Sequence, residues 1–237
     1  MKIGLVSYEF KNGKIEYNIK KIEKAIISAN GKVDLLCFGE TFLQGFDSLS
    51  WNYEIDKNIA ITKESVTMEK LKKLSEKHKI DLGIGYIERE KEKIYSSFVV
   101  IEKGKIIHNY RRITKNWKEY SITDEHYCEG EISETFIYKN REFKIALCGD
   151  MWICPEKFKT NGILLWTVYC NFTKDEWKNT EQSDYAVQSK SASDNVLLVN
   201  SITTGEPISV GGAYYFKSGK IEKSLELDKE DILFVEI

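Results

Sequence analysis

Residues 2–38 read KIGLVSYEFKNGKIEYNIKKIEKAIISANGKVDLLCF, and this stretch decides the fold class. Lys2 to Tyr8 is a short, mostly apolar run, the pattern of a buried strand. Ile15, Ile19, Ile22 and Ile26 then recur at helical spacing and Gly31 follows as a stop signal, so a helix fills the interval. Val33 to Phe38 is a second apolar run. Two such strands joined by a helix predict parallel pairing through a crossover connection.

The rest of the chain extends this pattern. Met68, Leu71 and Leu74 line one face of a second helix that ends near Lys79. Ile80 to Ile87, Ile94 to Glu102 and Lys105 to Arg111 read as strands, the last two joined by a turn at Lys103-Gly104. A hairpin over Ile132 to Leu147 turns near Lys139-Asn140-Arg141. Gly162 to Tyr169 is a strand, Asp175 to Ser193 a helix, Asn195 to Ser201 a strand, and Ser209 to Ile237 carries two or three more. Helices and strands interleave and strands outnumber helices, which predicts an α/β fold of two mixed sheets packed face to face, each covered by helices. No repeat, linker or Pro-rich segment interrupts the chain, so residues 1–237 are expected to form one domain.

Composition excludes several function classes. Hydrophobic residues make up 42% and charged residues 30% of the 237, the profile of an ordinary globular protein. Lys plus Arg (35) against Asp plus Glu (37) leaves a net charge of −2, with a pI near 6.1. That balance gives no electrostatic reason to bind nucleic acid or an anionic membrane. The basic pairs Lys20-Lys21 and Lys72-Lys73 lie on expected helices and read as solvated faces. Five cysteines, an odd number without a C-x-x-C pair, argue against a disulfide framework or structural zinc and for a reducing compartment. The N-terminal apolar run is too short for a signal peptide. Gly162 to Cys170 falls well short of the about 18 residues needed to span a bilayer. A cytoplasmic protein is expected.

Three segments at strand ends could carry chemistry, because loops beyond the strand C-termini of open α/β folds converge on one crevice. In Leu35-Leu36-Cys37-Phe38-Gly39-Glu40-Thr41-Phe42, a carboxylate wedged between two phenylalanines is partly desolvated, which raises its pKa and suits Glu40 to general base work. An exposed, capping glutamate is the alternative on local sequence. In Phe143-Lys144-Ile145-Ala146-Leu147-Cys148-Gly149-Asp150, Gly149 leaves the Cys148 sulfur accessible and the next backbone N–H free to meet an oxyanion, while Asp150 can hold the turn through its side chain. The commonest fate of a free cysteine is to be a small buried hydrophobe. Cys37, Cys154 and Cys170 are assigned that fate. The third segment, Asn109-Tyr110-Arg111-Arg112-Ile113-Thr114-Lys115-Asn116-Trp117-Lys118-Glu119, offers cations for an oxyanion or a carboxylate, or else is a solvated charged loop.

Other constellations fail. Of the three histidines, His78 lies on a surface helix and His108 inside a strand. Only His126, in a loop, remains as a partner for a Cys-His pair. Metal-ligand spacing is absent, no phosphate-binding glycine loop is present, and no cofactor is expected.

Together the three segments resemble the carbon-nitrogen hydrolase (nitrilase-like) superfamily over nearly the whole chain. Phe38-Gly39-Glu40-Thr41-Phe42-Leu43-Gln44-Gly45-Phe46 is similar to its glutamate motif, with Gly39 where proline is usual. Cys148-Gly149-Asp150 is similar to its Cys-x-Asp nucleophile motif, followed by Pro155-Glu156 with one extra residue between, and Leu197-Leu198-Val199-Asn200 to a late strand ending in Asn. The resemblance implies a four-layer αββα sandwich and a Glu-Lys-Cys triad, with Glu40 as base and Cys148 as nucleophile. The usual lysine stands two residues after a tyrosine, and that position here is Arg112. Arg112 is expected to serve as the positional equivalent, with Lys115 or Lys118 as the residue that brings an amine in its place. Glu119 and Glu125 are both candidates for the family's second glutamate. The implied activity is hydrolysis of a small non-peptide amide through a cysteine thioester, with Gly149 N–H on the oxyanion. A relative that has lost catalysis and keeps a binding or regulatory role is the alternative. A symmetric dimer is expected by analogy, and Trp117, Trp152 and Tyr169 are candidates to wall a small pocket.

Overall fold

The computed structural model of the protein describes residues 1–205 and 207–237. Strands β1 (Lys2–Ser7), β2 (Leu35–Cys37), β3 (Asp81–Glu90), β4 (Lys93–Glu102) and β5 (Lys105–Arg111) build one sheet. Strands β6 (Phe136–Tyr138), β7 (Arg141–Leu147), β8 (Ile163–Val168), β9 (Asn195–Thr203), β10 (Ser209–Lys217) and β11 (Lys220–Ser224) build the other. The final strand β12 (Asp231–Glu236) returns to the first sheet beside β1. The orders are β12-β1-β2-β3-β4-β5 and β11-β10-β9-β8-β7-β6. Each sheet has a parallel centre, β1-β2-β3 and β7-β8-β9, flanked by antiparallel strands.

Side-chain alternation assigns the layers. Ile3 and Leu5 of β1, Leu35 and Cys37 of β2, and Phe98 and Val100 of β4 enter the core between the sheets, where they join Ile145, Leu147, Trp166 and Leu197 of the second sheet. Their neighbours Val6, Leu36, Val99 and Ile101 face outward. They are covered by helices α1 (Ile15–Ala29) and α3 (Val66–His78), whose buried Ile19, Ile22, Ile26, Met68 and Leu71 make the apolar stripes read from the sequence. A one-turn helix α2 (Tyr53–Asp56) lies between them in the chain. On the second sheet, Trp177, Tyr185 and Ala186 pack from the segment containing α5 (Lys174–Glu176) and α6 (Gln182–Ser189). The result is the expected αββα sandwich.

Three expectations differ in detail. The hairpin expected over Ile132 to Leu147 keeps its turn, but its first strand begins only at Phe136. The helix expected over Asp175 to Ser193 is interrupted by a π-helical stretch, Trp177–Glu181, and ends at Ser189. There the Ser189 and Ser191 hydroxyls donate to the carbonyls of Ala186 and Gln188, local bonds that compete with helix continuation. The strand expected from Val33 to Phe38 keeps ladder pairing only at Leu35–Cys37, because Phe38 and Gly39 already turn toward the site. Among the described residues no helix is long and apolar enough to cross a membrane.

Candidate active site

The C-terminal ends of β2, β5, β7 and β8 open on the same region, and each delivers one component. Beyond β2, the Glu40 turn is pressed against β3. A side chain at Gly85 would put its Cβ 2.3 Å from the Gly39 carbonyl oxygen and 2.5 Å from the Thr41 nitrogen, so only glycine admits this approach. Gln44, fully buried, locks the turn by donating to the Ile87 carbonyl at 2.9 Å and accepting from the Ile87 N–H at 2.9 Å.

The Glu40 carboxylate is fully buried and its two oxygens are treated differently. Oε1 accepts from Ser96 Oγ at 3.0 Å and from Arg112 Nη1 at 3.1 Å. Oε2 has no partner among the described residues. Burial pushes Glu40 above the usual carboxylate range, against the pull of Arg112 and Ser96.

Arg112 follows β5 and is 2% exposed. Its Nε donates to Thr114 Oγ1 at 3.3 Å and its Nη2 to the Lys115 carbonyl at 3.2 Å. Burial works against its charge, but Glu40, Cys148 and Asp150 overcome this and raise its pKa, so the guanidinium stays protonated. Successive strand residues point to opposite faces. Arg111 accordingly leaves the site and forms a two-point pair with buried Glu88, Nη2 to Oε1 at 2.7 Å and Nε to Oε2 at 2.9 Å.

Cys148 ends β7 with a left-handed φ of 38°, a turn that lifts its half-buried sulfur out of the strand. Its backbone is fixed on both sides, the N–H to the Thr167 carbonyl at 3.0 Å and the carbonyl to Trp166 Nε1 at 3.0 Å. Asp150 braces the turn as its position in the sequence suggested. Its Oδ2 accepts from the Leu147 N–H at 2.8 Å and from the Tyr110 hydroxyl at 2.6 Å. Its Oδ1 accepts from the Thr114 N–H at 3.1 Å and from Thr114 Oγ1 at 2.7 Å. One carboxylate thus ties the Cys148 turn to the Arg112 loop.

Cys170 is buried in the core as expected, and it also neighbours Cys148. Cys170 holds the Cys148 thiol below its ordinary value, with Arg112 and the Tyr169 backbone assisting and burial and Glu40 opposing; the Cys170 thiol is raised in turn. The Cys148 sulfur lies 3.7 Å from the Tyr169 carbonyl oxygen, and Cys170 Sγ lies 3.0 Å from the Tyr185 hydroxyl. Asn200 clamps the Cys170 backbone, accepting from its N–H at 3.1 Å and donating to its carbonyl at 2.8 Å.

Glu40, Arg112, Cys148 and Gly149 therefore share one site. Lys115 contributes only its carbonyl; its side chain is exposed, with the ammonium over the Tyr120 ring. Lys118 pairs with Glu129 at 3.2 Å. Glu119 and Glu125 are exposed, and among the described residues neither carboxylate bonds Arg112. His126 stacks on Tyr53 and pairs with Asp124. Trp117 packs with Trp51 and Tyr127, and Trp152 is 42% exposed against Tyr185. Of the three aromatic candidates, Tyr169 approaches Cys148 only through its backbone carbonyl, and its ring packs on Phe10 and Phe46. Ser96, Trp166 and Cys170 are the residues sequence reasoning missed. Ser96 and Trp166 sit within strands and carry no local signal, whereas Cys170 lies two residues past the end of β8, in a segment comparable to the one that holds Cys148 after β7. Among the described residues no cluster of His, Cys, Asp and Glu could hold a metal ion.

A fold of two mixed sheets with a glutamate, a cation and a cysteine at converging strand ends defines a class, and the chain belongs to the carbon-nitrogen hydrolase family, whose model matches residues 2–171. An (R)-stereoselective amidase from a Pseudomonas species is 24% identical over 151 residues, 64% of this chain and 52% of the relative, so the chain spans about half the length of that curated relative. The fold is shared with a CN-hydrolase superfamily protein from Xanthomonas campestris (TM-score 0.80, 14% identity, 99% of this chain and 89% of that one). It is also shared with an amidase from a Nesterenkonia species (TM-score 0.79, 16% identity, 100% and 90%).

Proposed function

We propose that the protein hydrolyses a small non-peptide amide, with Cys148 as nucleophile, Glu40 as general base and Arg112 in the place of the family's lysine. The observation that carries this reading is the unequal state of the Glu40 oxygens: Oε1 is held by Ser96 and Arg112, and Oε2 is buried without a partner. A buried acceptor without a donor is unfavourable unless the site uses it, and a base needs one free lone pair beside the proton it takes.

In this scheme Glu40 Oε2 takes the Cys148 thiol proton, and the thiolate attacks the amide carbonyl carbon. The carbonyl electrons move to oxygen. The Gly149 N–H lies at the N-terminal end of α4 (Asp150–Ile153), where helix N–H groups lack intrahelical acceptors. Of the guanidinium's five N–H donors, three are engaged by Thr114, Glu40 and Lys115. The two left over and the Gly149 N–H receive the oxyanion. Glu40 returns the proton to the leaving nitrogen, the C–N bond breaks, and a thioester remains. Glu40 then deprotonates a water that attacks the thioester and frees the acid and the thiolate. Proton traffic runs through Glu40 alone, so a permanently charged arginine suffices as the cation.

The test is ammonia release from a panel of short aliphatic and ω-amides. Wild type is expected to turn over at least one, and Cys148→Ala and Glu40→Gln none. If no amide is cleaved and Cys148 reacts with iodoacetamide no faster than Cys154, the hydrolase reading fails in favour of a binding role.

A further inference from the structure

We infer that Gly149 is a positioning residue whose missing side chain is the berth of the Arg112 guanidinium, so that the pair 112 and 149 together determine which cation this site can use. The inference rests on the hydrolase reading for its functional consequence but not for its geometry. A Cβ built on Gly149 would lie 2.5 Å from Arg112 Nη2, 3.5 Å from its Cζ and 3.7 Å from Thr114 Oγ1. The backbone does not ask for glycine. Gly149 has φ −62° and ψ −14°, ordinary right-handed helical values open to any residue. Space is what excludes a side chain.

The guanidinium has nowhere to retreat. Its Nε, Nη1 and Nη2 are bound to Thr114, Glu40 and the Lys115 carbonyl, and the residue is 2% exposed. Moving Nη2 away from a new methyl group would rotate the planar fork as a unit and pull Nη1 off Glu40. An ammonium has no fork. A lysine at 112 would leave the volume above Gly149 empty and would tolerate a methyl group there. Arg112 with Gly149, and Lys with Ala, are thus the two matched combinations.

The position of the berth matters to the chemistry. It places Nη2 beside the residue that follows Cys148, where in the proposed scheme its free hydrogen joins the Gly149 N–H in receiving the oxyanion. It also keeps positive charge beside Cys148, which favours the thiolate.

The experiment is a double-mutant cycle of Gly149→Ala and Arg112→Lys, with two readouts. The first is the pH profile of Cys148 alkylation by iodoacetamide, followed by peptide mass spectrometry. Gly149→Ala alone is expected to slow neutral-pH alkylation on the order of tenfold and to move the profile to higher pH. In the Arg112→Lys background, adding Gly149→Ala should change neither. The second readout is Tm. Gly149→Ala should lower it in the arginine background and leave it unchanged in the lysine background. Equal losses in both backgrounds, no loss in either, or a double variant that fails to fold would overturn the inference. Should wild-type Cys148 lack Glu40-dependent reactivity, the hydrolase reading falls, while the Tm cycle still decides the berth. A Gly149→Ala chain that folds only with Lys at 112 would itself support it.

Discussion

The Tyr110 hydroxyl donates to Asp150 Oδ2 at 2.6 Å, a bond from the end of β5 in one sheet to the turn after β7 in the other. Both groups are buried, and Asp150 makes three further bonds, to Leu147 and Thr114. This contact and the two bonds from Thr114 are the links between the two halves of the site that Asp150 makes. Tyr110→Phe keeps the ring and removes the donor. Breaking a hydrogen bond to a buried carboxyl typically costs about 1–3 kcal/mol. Urea denaturation should show a loss of that order. Cys148 alkylation should slow as well, because the turn that presents its sulfur is no longer tied to the arginine loop. An unchanged alkylation rate would mean that the bonds from Thr114 suffice.

Neighbouring arginines should behave oppositely. Arg111→Met deprives fully buried Glu88 of its two-point partner and leaves Ser97 and Asn109 as donors at 2.7 and 2.9 Å, with Lys63 at 3.8 Å as the nearest cation. Removing one member of a buried pair is destabilising, here by about 2–3 kcal/mol because Arg111 is partly solvated. The pH dependence has a definite sign. Burial raises Glu88, but Arg111, Ser97 and Asn109 overcome it and hold the group below its ordinary value of 4.5. Its stabilisation is therefore present above that pH and lost as pH falls through the lowered pKa. The Arg111→Met deficit should be largest at neutral pH and shrink in acid, as read by Tm from pH 7 down to about pH 3. Cys148 reactivity should survive, in contrast to Arg112→Met, which removes the cation beside the thiolate.

Cys170 should prove to be part of the nucleophile's environment. As a neighbouring thiol donor it is the largest influence lowering the Cys148 thiol. Cys170→Ala removes that donor, so the Cys148 pKa should rise and the thiolate fraction at neutral pH should fall. The alkylation profile of Cys148 should shift to higher pH, with little change in the rate at its high-pH plateau. Cys170→Ser restores a donor and should recover part of the shift. A profile identical in all three proteins would return Cys170 to the core role its sequence suggested.

Much of this arrangement was legible before any coordinates. Ile15, Ile19, Ile22 and Ile26 fixed α1, and the strand ends read at Phe38, Arg111 and Leu147 placed Glu40, Arg112 and Cys148 on the loops where they are found. What stayed hidden depends on the third dimension. Ser96 is an unremarkable strand residue until β4 lies beside the Glu40 turn. Lys115 stands three residues after Arg112, yet only the fold shows that its carbonyl and not its ammonium faces the guanidinium. Gly149 reads as a turn residue, and its spatial role appears only when the fork of Arg112 is seen above it. The π-helical stretch at Trp177 is a tertiary effect too, since the indole there reaches the Tyr214 hydroxyl at 2.6 Å.

Replacing the base should separate activity from stability. Burial holds Glu40 above the ordinary carboxylate value of 4.5, against the pull of Arg112 and Ser96. A carboxyl whose folded-state pKa is raised contributes stability below its unfolded pKa and loses that contribution as pH rises through the folded value. Glutamine mimics the protonated form at every pH. The Tm of Glu40→Gln, measured against wild type, should therefore move in the variant's favour between about pH 5 and pH 8, even as turnover is abolished. Active sites commonly carry such destabilised groups. The Arg112 pair tests the sign of this argument. Were the attraction at 3.1 Å stronger than the desolvation of Glu40, the variant would lose ground with rising pH, and the carboxylate would be too stable as an anion to serve as a base near neutrality. Calorimetry at the two pH values distinguishes these outcomes without a substrate.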